Sequence, residues 1–466
     1  MTHRKARREF LKQTTLAGVG YWVAGGAARA AEGRSANDRI RIACIGVGGK
    51  GSSDTDNAGE VGDIVALCDC DEDRLGKKAE KFPEAKKYFD FRKMFDELGK
   101  SIDAVTVSTP DHTHAVASMM ALRSGKHVYC QKPLTHSVYE ARLLRETAAK
   151  MKVATQMGNQ GTANDGLRTA VEVVQSGAIG PVREVHVWTN RPIWPQAPDV
   201  MARPTETPPV PENLHWDEFL GPAPYRPYSP AYHPFKWRGW WDFGTGALGD
   251  MACHTCNMPY MALKLGAPSS VVAEAGDLNP ETCPSWAKVT YNFPARGDLP
   301  ACKLFWYEGR EGGQSNKTGK RMLPPEDLLA KVLKPGEEVA KSASILVGDK
   351  GILYSSSDYG GSYRLTPESD FAGYKPPEPW LPRHSNEGKK DNDLNMKQEW
   401  AAAMRGGPPA MSNFDYSGPL TEMVLLGNVA IRVGKPIQWD AANLKALGCP
   451  EADQYINPPL RNGWTL

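Results

Sequence analysis

The run Ile40-Arg41-Ile42-Ala43-Cys44-Ile45 passes without a break into Gly46-Val47-Gly48-Gly49-Lys50-Gly51. A strand pattern that opens into glycines at 46, 48 and 51 fits G-x-G-x-x-G. The missing side chains permit a tight turn, the approach of a pyrophosphate and close packing of a helix on the strand. A second apolar run, 63–69, ends in Asp69, 23 residues after Gly46. A carboxylate in that place takes the hydroxyls of the adenosine ribose. Its charge repels a 2′-phosphate, which favours NAD over NADP, while Arg74 nearby keeps NADP open. The glycines (Gly49 included) and Asp69 are therefore the candidate cradle of a dinucleotide.

The same alternation continues. Residues 104–108 form an apolar strand that opens into Thr109-Pro110-Asp111-His112-Thr113-His114, followed by a helical stretch over 115–123. Next comes 125–133, read as G-K-H-V-Y-C-Q-K-P. Val and Tyr favour a strand there, and Pro133 cannot donate to a ladder, so the strand stops and Lys132 sits extended at its carboxyl end. A last strand over 153–156 leads into Gly158-Asn159-Gln160. Strands alternating with helices predict a doubly wound parallel sheet, and its carboxyl rim is where ligands bind. Ser108, Thr109, Pro110, His112, His114 and Gln131 then stand at the nicotinamide end. The His-x-His pair lacks a carboxylate or third histidine placed to finish a ligand set, so a loop over the cofactor is expected rather than a metal site.

At 466 residues the chain suits two domains. Its formal charge of +2 hides an asymmetry: Arg4, Lys5, Arg7, Arg8, Lys12 and Arg29 stand against Glu9 within residues 1–30. That segment carries +5 and the remainder −3. A mildly acidic body argues against nucleic acid as a partner. Residues 1–31 read as an address: Arg7-Arg8-Glu9-Phe10-Leu11-Lys12, an uncharged stretch over 13–28, then Ala28-Arg29-Ala30. This order resembles a twin-arginine export signal, and its apolar part falls short of the roughly 20 residues that span a bilayer. Export machinery is the expected partner and the periplasm, or another extracytoplasmic space, the expected location. The nine cysteines lie mostly in apolar runs, as small buried hydrophobes do. Cys253-His254-Thr255-Cys256 looks like half a zinc site, but no second cysteine pair lies at suitable spacing, so no metal is expected.

The glycine loop, the Ser-Thr-Pro-Asp-His-Thr-His-Ala run at 108–115 and the G-K-H-V-x-C-x-K-P run together resemble the Gfo/Idh/MocA family, that of glucose–fructose oxidoreductase and inositol dehydrogenase. The resemblance spans about residues 39–440. It implies a Rossmann domain at 39–160, an α+β domain at 161–440 with a large open, mainly antiparallel sheet, and a tail at 441–466. It also implies that Lys132 serves hydride chemistry. The family's E-K-P carries Gln131 in place of the acid here, which by itself leaves the amine easier to deprotonate.

In the second half, 183–189 alternates as a strand. Then twelve of the 37 prolines fall within 191–240, while six of the 13 tryptophans fall within 188–241. This is expected to be a long ordered arm, either packed on a neighbouring subunit of a homo-oligomer or walling the site. Trp237, Trp240 and Trp241 suit either plain packing or the C–H faces of a sugar. After Gly244, Gly246 and Gly249, Asp250 and His254 lie four apart on one helical face, where a carboxylate orients an imidazole for acid–base work. They match the family's D-x-G-x-H-x-x-D element, with Ala252 and Asn257 replacing its glycine and final acid. Short strand-like runs follow at 270–275, 287–293, 302–307, 345–347, 352–355 and 363–366. The charged stretch 312–341 reads as a surface insertion, and 393–405 and 418–433 as helices returning to the first half.

These readings point to an NAD-dependent oxidoreductase acting on a secondary hydroxyl of a sugar, glycoside or cyclitol. The hydroxyl would lie between Lys132, polarising the oxygen, and His254, the favoured base, with Asn159, Trp241 and Asp250 beside it. An exported enzyme finds no nicotinamide pool, so its cofactor would be held tightly and recycled in place. An alternative is a glycosidase or lyase that oxidises, eliminates and re-reduces. A non-catalytic NAD-containing binding protein is a third reading, resting on Gln131 and Asn257.

Overall fold

The computed structural model describes residues 39–384 and 391–466; the export segment lies outside them. The first half is built on six strands: β1 (Ile40–Ile45), β2 (Gly62–Cys68), β3 (Lys86–Tyr88), β4 (Ala104–Val107), β5 (His127–Cys130) and β6 (Thr155–Met157). They lie in the order β3-β2-β1-β4-β5-β6, and every pair is parallel. β1 and β4 are buried almost throughout, as parallel strands covered by helices on both faces must be. The order reverses between β1 and β4. That switch point opens a crevice at the carboxyl rim, between the loop after β1 and the loop after β4.

The second half holds a ten-stranded sheet made of β7 (Val182–Trp188), β8 (Ser270–Gly276), β9 (Trp286–Phe293), β10 (Cys302–Glu311), β11 (Lys320–Arg321), β12 (Ala343–Gly348), β13 (Ile352–Ser355), β14 (Arg364–Thr366), β15 (Ile437–Asp440) and β16 (Lys445–Leu447). The order is β14-β13-β12-β7-β10-β9-β8-β15-β16, with β11 paired to β10. β7 and β10 run parallel and the other pairs antiparallel. The fold is thus α/β, a parallel nucleotide-binding sheet followed by a mainly antiparallel one.

Two helices lock the halves together. Helix Phe414–Val433 packs on helix Val138–Met151, where Arg142 forks onto Glu422 at 2.8 and 2.7 Å. Helix Asn392–Met404 returns to the first sheet and places Trp400 edge-on against Tyr129.

Two expectations need correction. The stretch 312–341 is not merely a surface insertion: helix Glu326–Val332 buries Leu328, Leu329 and Val332 against Trp188, Tyr307, Ile345 and Tyr354. Apolar residues at helical spacing were hidden there among charges. Residues 441–466 are not a loose tail either, since β16 extends the sheet and Ile456 and Trp464 are buried. Of the two roles open to Trp240, the structure shows packing: it is 1% exposed, and its ring nitrogen donates to the Ala231 carbonyl at 2.9 Å. Around it the arm forms a small core of its own from Leu214, Trp216, Phe219, Tyr232 and Phe243.

Candidate active site

The glycine loop is shaped by close approach. A Cβ on Gly51 would lie 1.9 Å from the Gly46 carbonyl oxygen, and one on Gly46, at φ +77°, would strike the Ser108 backbone at 2.7 Å. At Gly49, φ +52°, a Cβ would meet nothing within 4 Å, so this side of the turn is open toward the cleft. The turn leads into the N-terminus of helix Lys50–Gly59, where backbone N–H groups and the helix dipole favour an anion. Asp69 lines the same cleft. Its Oδ2 accepts the Val47 and Gly48 amides at 2.8 and 3.1 Å, and its Oδ1 accepts the Asp71 amide, which ties the acid to the glycine turn. Burial pushes its carboxyl above the usual range. Arg74 flanks Gly48 but is paired with Asp71 at 3.1 Å. These residues fit a dinucleotide: room for a pyrophosphate, a helix end behind it and an acid at the ribose.

Beneath the nicotinamide end lies a charged group that sequence reasoning missed. Asp54, fully buried in helix Lys50–Gly59, accepts hydrogen bonds from Ser108 Oγ (2.9 Å), Gln131 Nε2 (2.8 Å) and Lys397 Nζ (2.9 Å). Lys397 is also fully buried, with its ammonium 3.2 Å from the centre of the Tyr129 ring. Burial works against ionisation of Asp54, but Lys397 and Lys50 outweigh it and hold the carboxyl below its ordinary value. A carboxylate thus stands against position 131, supplied by Asp54, and Gln131 is the donor that meets it. No local pattern marks Asp54 or Lys397, because each takes its meaning from a partner distant in sequence.

At the mouth, Lys132 Nζ donates to Oδ1 and to the backbone oxygen of Asp250, both at 2.8 Å. The expectation that Gln131 leaves the amine without a carboxylate is thus corrected: Asp250 of the second half supplies one. Arg238 stands behind, its Nε 3.7 Å from Asp250 Oδ1 and its guanidinium 4.3 Å from the Trp237 ring centre. Burial opposes the charge on Asp250, yet Lys132 and Arg238 hold its carboxyl below the usual range. Lys132, Asp250, Arg238 and Trp237 line the cleft together with Gln131, Ser108, Thr109 and Pro110.

His254 lies one turn further along helix Gly246–Thr255, deeper than the cleft wall and 3% exposed. Its ring meets Tyr359 edge-on at 4.8 Å, and its Nδ1 is buried without a hydrogen-bond partner among the described residues. Burial, reinforced by the Lys132 charge, takes this imidazole well below its ordinary pKa, so it stays neutral.

Several sequence-predicted residues are placed elsewhere. His112 and His114 turn away from the cofactor cleft: the ring nitrogens of His112 meet the Phe219 and Phe243 carbonyls, those of His114 the Pro133 and Thr109 carbonyls. Burial lowers both to about 4. His112 reaches across the seam between the halves, where Asp111 also takes the Thr245 amide and hydroxyl at 3.1 and 2.6 Å, whereas His114 ties together two loops of the first half. Asn159 is fully buried, donating to the Cys253 carbonyl at 3.2 Å. Trp241 is 5% exposed and packs under Arg432. Asn257 links Thr162 and Tyr416 at 2.8 and 2.6 Å, a structural tie where the family pattern has its last acid. Among the described residues no cluster of three or more His, Cys, Asp or Glu has metal-binding geometry. None of their helices is long and apolar enough to cross a membrane.

Comparison with known proteins gives a consistent picture. Residues 40–159 match the Gfo/Idh/MocA profile described as "Oxidoreductase family, NAD-binding Rossmann fold", and 168–301 the profile described as "Oxidoreductase family, C-terminal alpha/beta domain". Together they cover more than half of the chain. A myo-inositol 2-dehydrogenase of Thermotoga maritima is 27% identical over 158 residues, which is 34% of this chain and 47% of that protein. A glycosyl hydrolase family 109 protein of Solibacter usitatus is 31% identical over 172 residues, 34% of this chain and 39% of the relative. The chain thus spans less than half the length of these curated relatives. The solved structure of the WlbA dehydrogenase from Bordetella pertussis, in complex with NADH and UDP-GlcNAcA, shares the fold at TM-score 0.58 and 15% identity. That match covers 86% of this chain and 99% of that one. An aldose-aldose oxidoreductase from Caulobacter crescentus complexed with glycerol matches at TM-score 0.55 and 16% identity, covering 86% and 100%.

Proposed function

From the premise that this chain belongs to the Gfo/Idh/MocA family of NAD-binding oxidoreductases, we propose that it oxidises a secondary hydroxyl of a sugar, glycoside or cyclitol with a tightly held, internally recycled NAD. The observation that carries the reading is the contact of Lys132 with Asp250 at the nicotinamide end of the cleft, where one half of the chain brings a cation and the other an anion. Bound NAD supplies the two-electron acceptor. The protein's part is to hold the alcohol, polarise its oxygen and take its proton.

Lys132, fixed by Asp250 and backed by Arg238, donates a hydrogen bond to the reacting oxygen and stabilises the charge that grows there. His254, neutral and with Nδ1 unpartnered, is the favoured proton acceptor, and the alcohol reaches it only behind the cleft wall, one helical turn past Asp250. Asp69 on the ribose favours NAD over NADP, and Arg74, already paired with Asp71, is spoken for. The twin-arginine segment supports export in folded form with cofactor aboard. Lys132→Met protein, assayed for bound NAD and for turnover on a sugar and cyclitol panel, tests the assignment: NAD content holds while turnover collapses. Wild-type turnover in that variant would refute it.

A second reading is favoured by the likeness to the Solibacter protein: redox-neutral cleavage of a glycoside through transient oxidation. Incubation with aryl glycosides and no added NAD separates the two. Release of aglycone without net reduction of cofactor supports cleavage; net reduction of bound cofactor supports the oxidoreductase.

A further inference from the structure

The sheet order fixes which end of the dinucleotide faces which wall. Asp69 at the end of β2 marks the adenosine ribose, and the rims of β4 and β5 mark the nicotinamide. What lies past β2, toward β3, is therefore the adenine end, and Phe89, Asp90 and Phe91 directly after β3 line the cleft there. Two segments from far along the chain close over this end.

The first is the arm. Its backbone bridges the residues after β2: the His215 amide donates to the Cys70 carbonyl at 2.8 Å, the Glu72 amide donates to Asn213 at 2.9 Å, and Asp71 and Leu214 pair as a β-bridge. His215 adds Glu72 at 2.9 Å and stacks on Phe89 at 4.0 Å. The second is the C-terminal segment, which fastens onto the arm. Arg461 donates from its backbone to the Pro222 carbonyl at 2.9 Å and from Nε to Gly221 at 2.8 Å, and it pairs with Asp217. Three residues on, Trp464 enters the cleft wall beside Phe91, its ring centre 4.4 Å from the Arg92 guanidinium.

We propose that Trp464 is an adenosine-site residue and that the arm and the C-terminal segment form a fastened cover which retains the dinucleotide. An aromatic ring backed by a guanidinium suits the flat face of adenine. These backbone bonds fasten the arm beside β2, and from there its Glu218, Phe219 and His233 form part of the cleft wall. This deepens the retained-cofactor reading and rests on it.

The experiment uses the full chain as purified. Bound NAD is quantified after denaturation, and its release is followed after dilution into a trap that consumes free NAD. Trp464→Ala and Arg461→Ala are compared with Trp464→Phe, which keeps an aromatic face. Trp464→Ala is expected to release NAD at least tenfold faster and to carry less of it. Arg461→Ala, outside the cleft, shifts release in the same direction, and Trp464→Phe returns it toward wild type. Release within twofold of wild type in both alanine variants overturns the proposal, and Arg461→Ala decides it should Trp464→Ala fail to fold. If wild-type protein arrives free of NAD, the retained-cofactor reading fails on its own. The dissociation constant for added NAD then decides Trp464: a tenfold rise in Trp464→Ala supports the contact, and an unchanged value ends it.

Discussion

Lys132 and Asp250, 118 positions apart, meet through two hydrogen bonds of 2.8 Å, one to the carboxylate and one to the backbone of the same residue. The pairing orients the ammonium from below and leaves its third proton for a ligand. Asp250→Asn keeps the shape and removes the anion. Turnover is expected to fall by about two to three orders of magnitude with NAD binding little changed, a loss in keeping with a disrupted acid–base or electrostatic group. Steady-state kinetics alongside NAD titration checks the split.

Gln131→Glu would set a second carboxylate about 2.8 Å from Asp54 Oδ2. Two carboxylates at that range cannot both ionise, and one is forced to hold a proton. The single variant is expected to lose about 1–3 kcal/mol of stability. Gln131→Glu with Asp54→Asn restores a single anion bonded to a neutral amide and recovers part of the loss. A double-mutant cycle by denaturant unfolding measures the coupling; additive losses would refute it.

Lys397→Met removes the buried cation and leaves Asp54 with the Ser108 hydroxyl, the Gln131 amide and the more distant Lys50 at 3.5 Å. Breaking such a pair from one side costs about 3–5 kcal/mol. The expected outcome is a lowered unfolding midpoint and weakened NAD binding, since Ser108 and Gln131 lose their fixed anchor. The paired change Lys397→Met with Asp54→Leu, which removes both charges, should recover stability without recovering NAD affinity.

Glu308, 2% exposed on β10, has one donor, the Trp306 ring nitrogen at 2.7 Å, and burial pushes its carboxyl up to about 8. Its folded value lies above its unfolded one, so the folded state binds the proton more tightly. The stabilisation is complete below about pH 4.5 and is lost as pH rises through about 8. Unfolding at pH 5, 6.5 and 8 should show wild type losing stability relative to Glu308→Gln as pH increases. A constant gap between the two would show that Glu308 does not titrate in this window.

The parts of the site legible in sequence are those whose chemistry is local. A strand running into Gly46-Val47-Gly48 needs no distant partner to be recognised, nor does Lys132 stopped by Pro133, nor Asp250 one helical turn from His254. Asp54, Lys397, Arg238 and Trp464 could not be read that way. A buried aspartate in a polar helix, a lysine in a second helix and a tryptophan at position 464 acquire their roles only when the chain brings them together. His112 and His114 erred in the opposite direction: their spacing is conspicuous, but the fold spends it on backbone carbonyls. The helix at Glu326–Val332 was obscured because its three buried apolar residues sit in a segment dominated by charge.

The Asp54–Lys397 pair also sets an order of events. The two residues are 343 positions apart, and neither side chain touches solvent. While the ribosome is still making the second half, the nascent nucleotide-binding domain carries a carboxylate destined for burial and has only the partly exposed Lys50, 3.5 Å away, to set against it. The glycine turn, the rim of β4 and Gln131 converge on that carboxylate, so a translating chain that stops before residue 397 can assemble strands but not a finished binding crevice. Competence to take up NAD waits for the helix that carries Lys397.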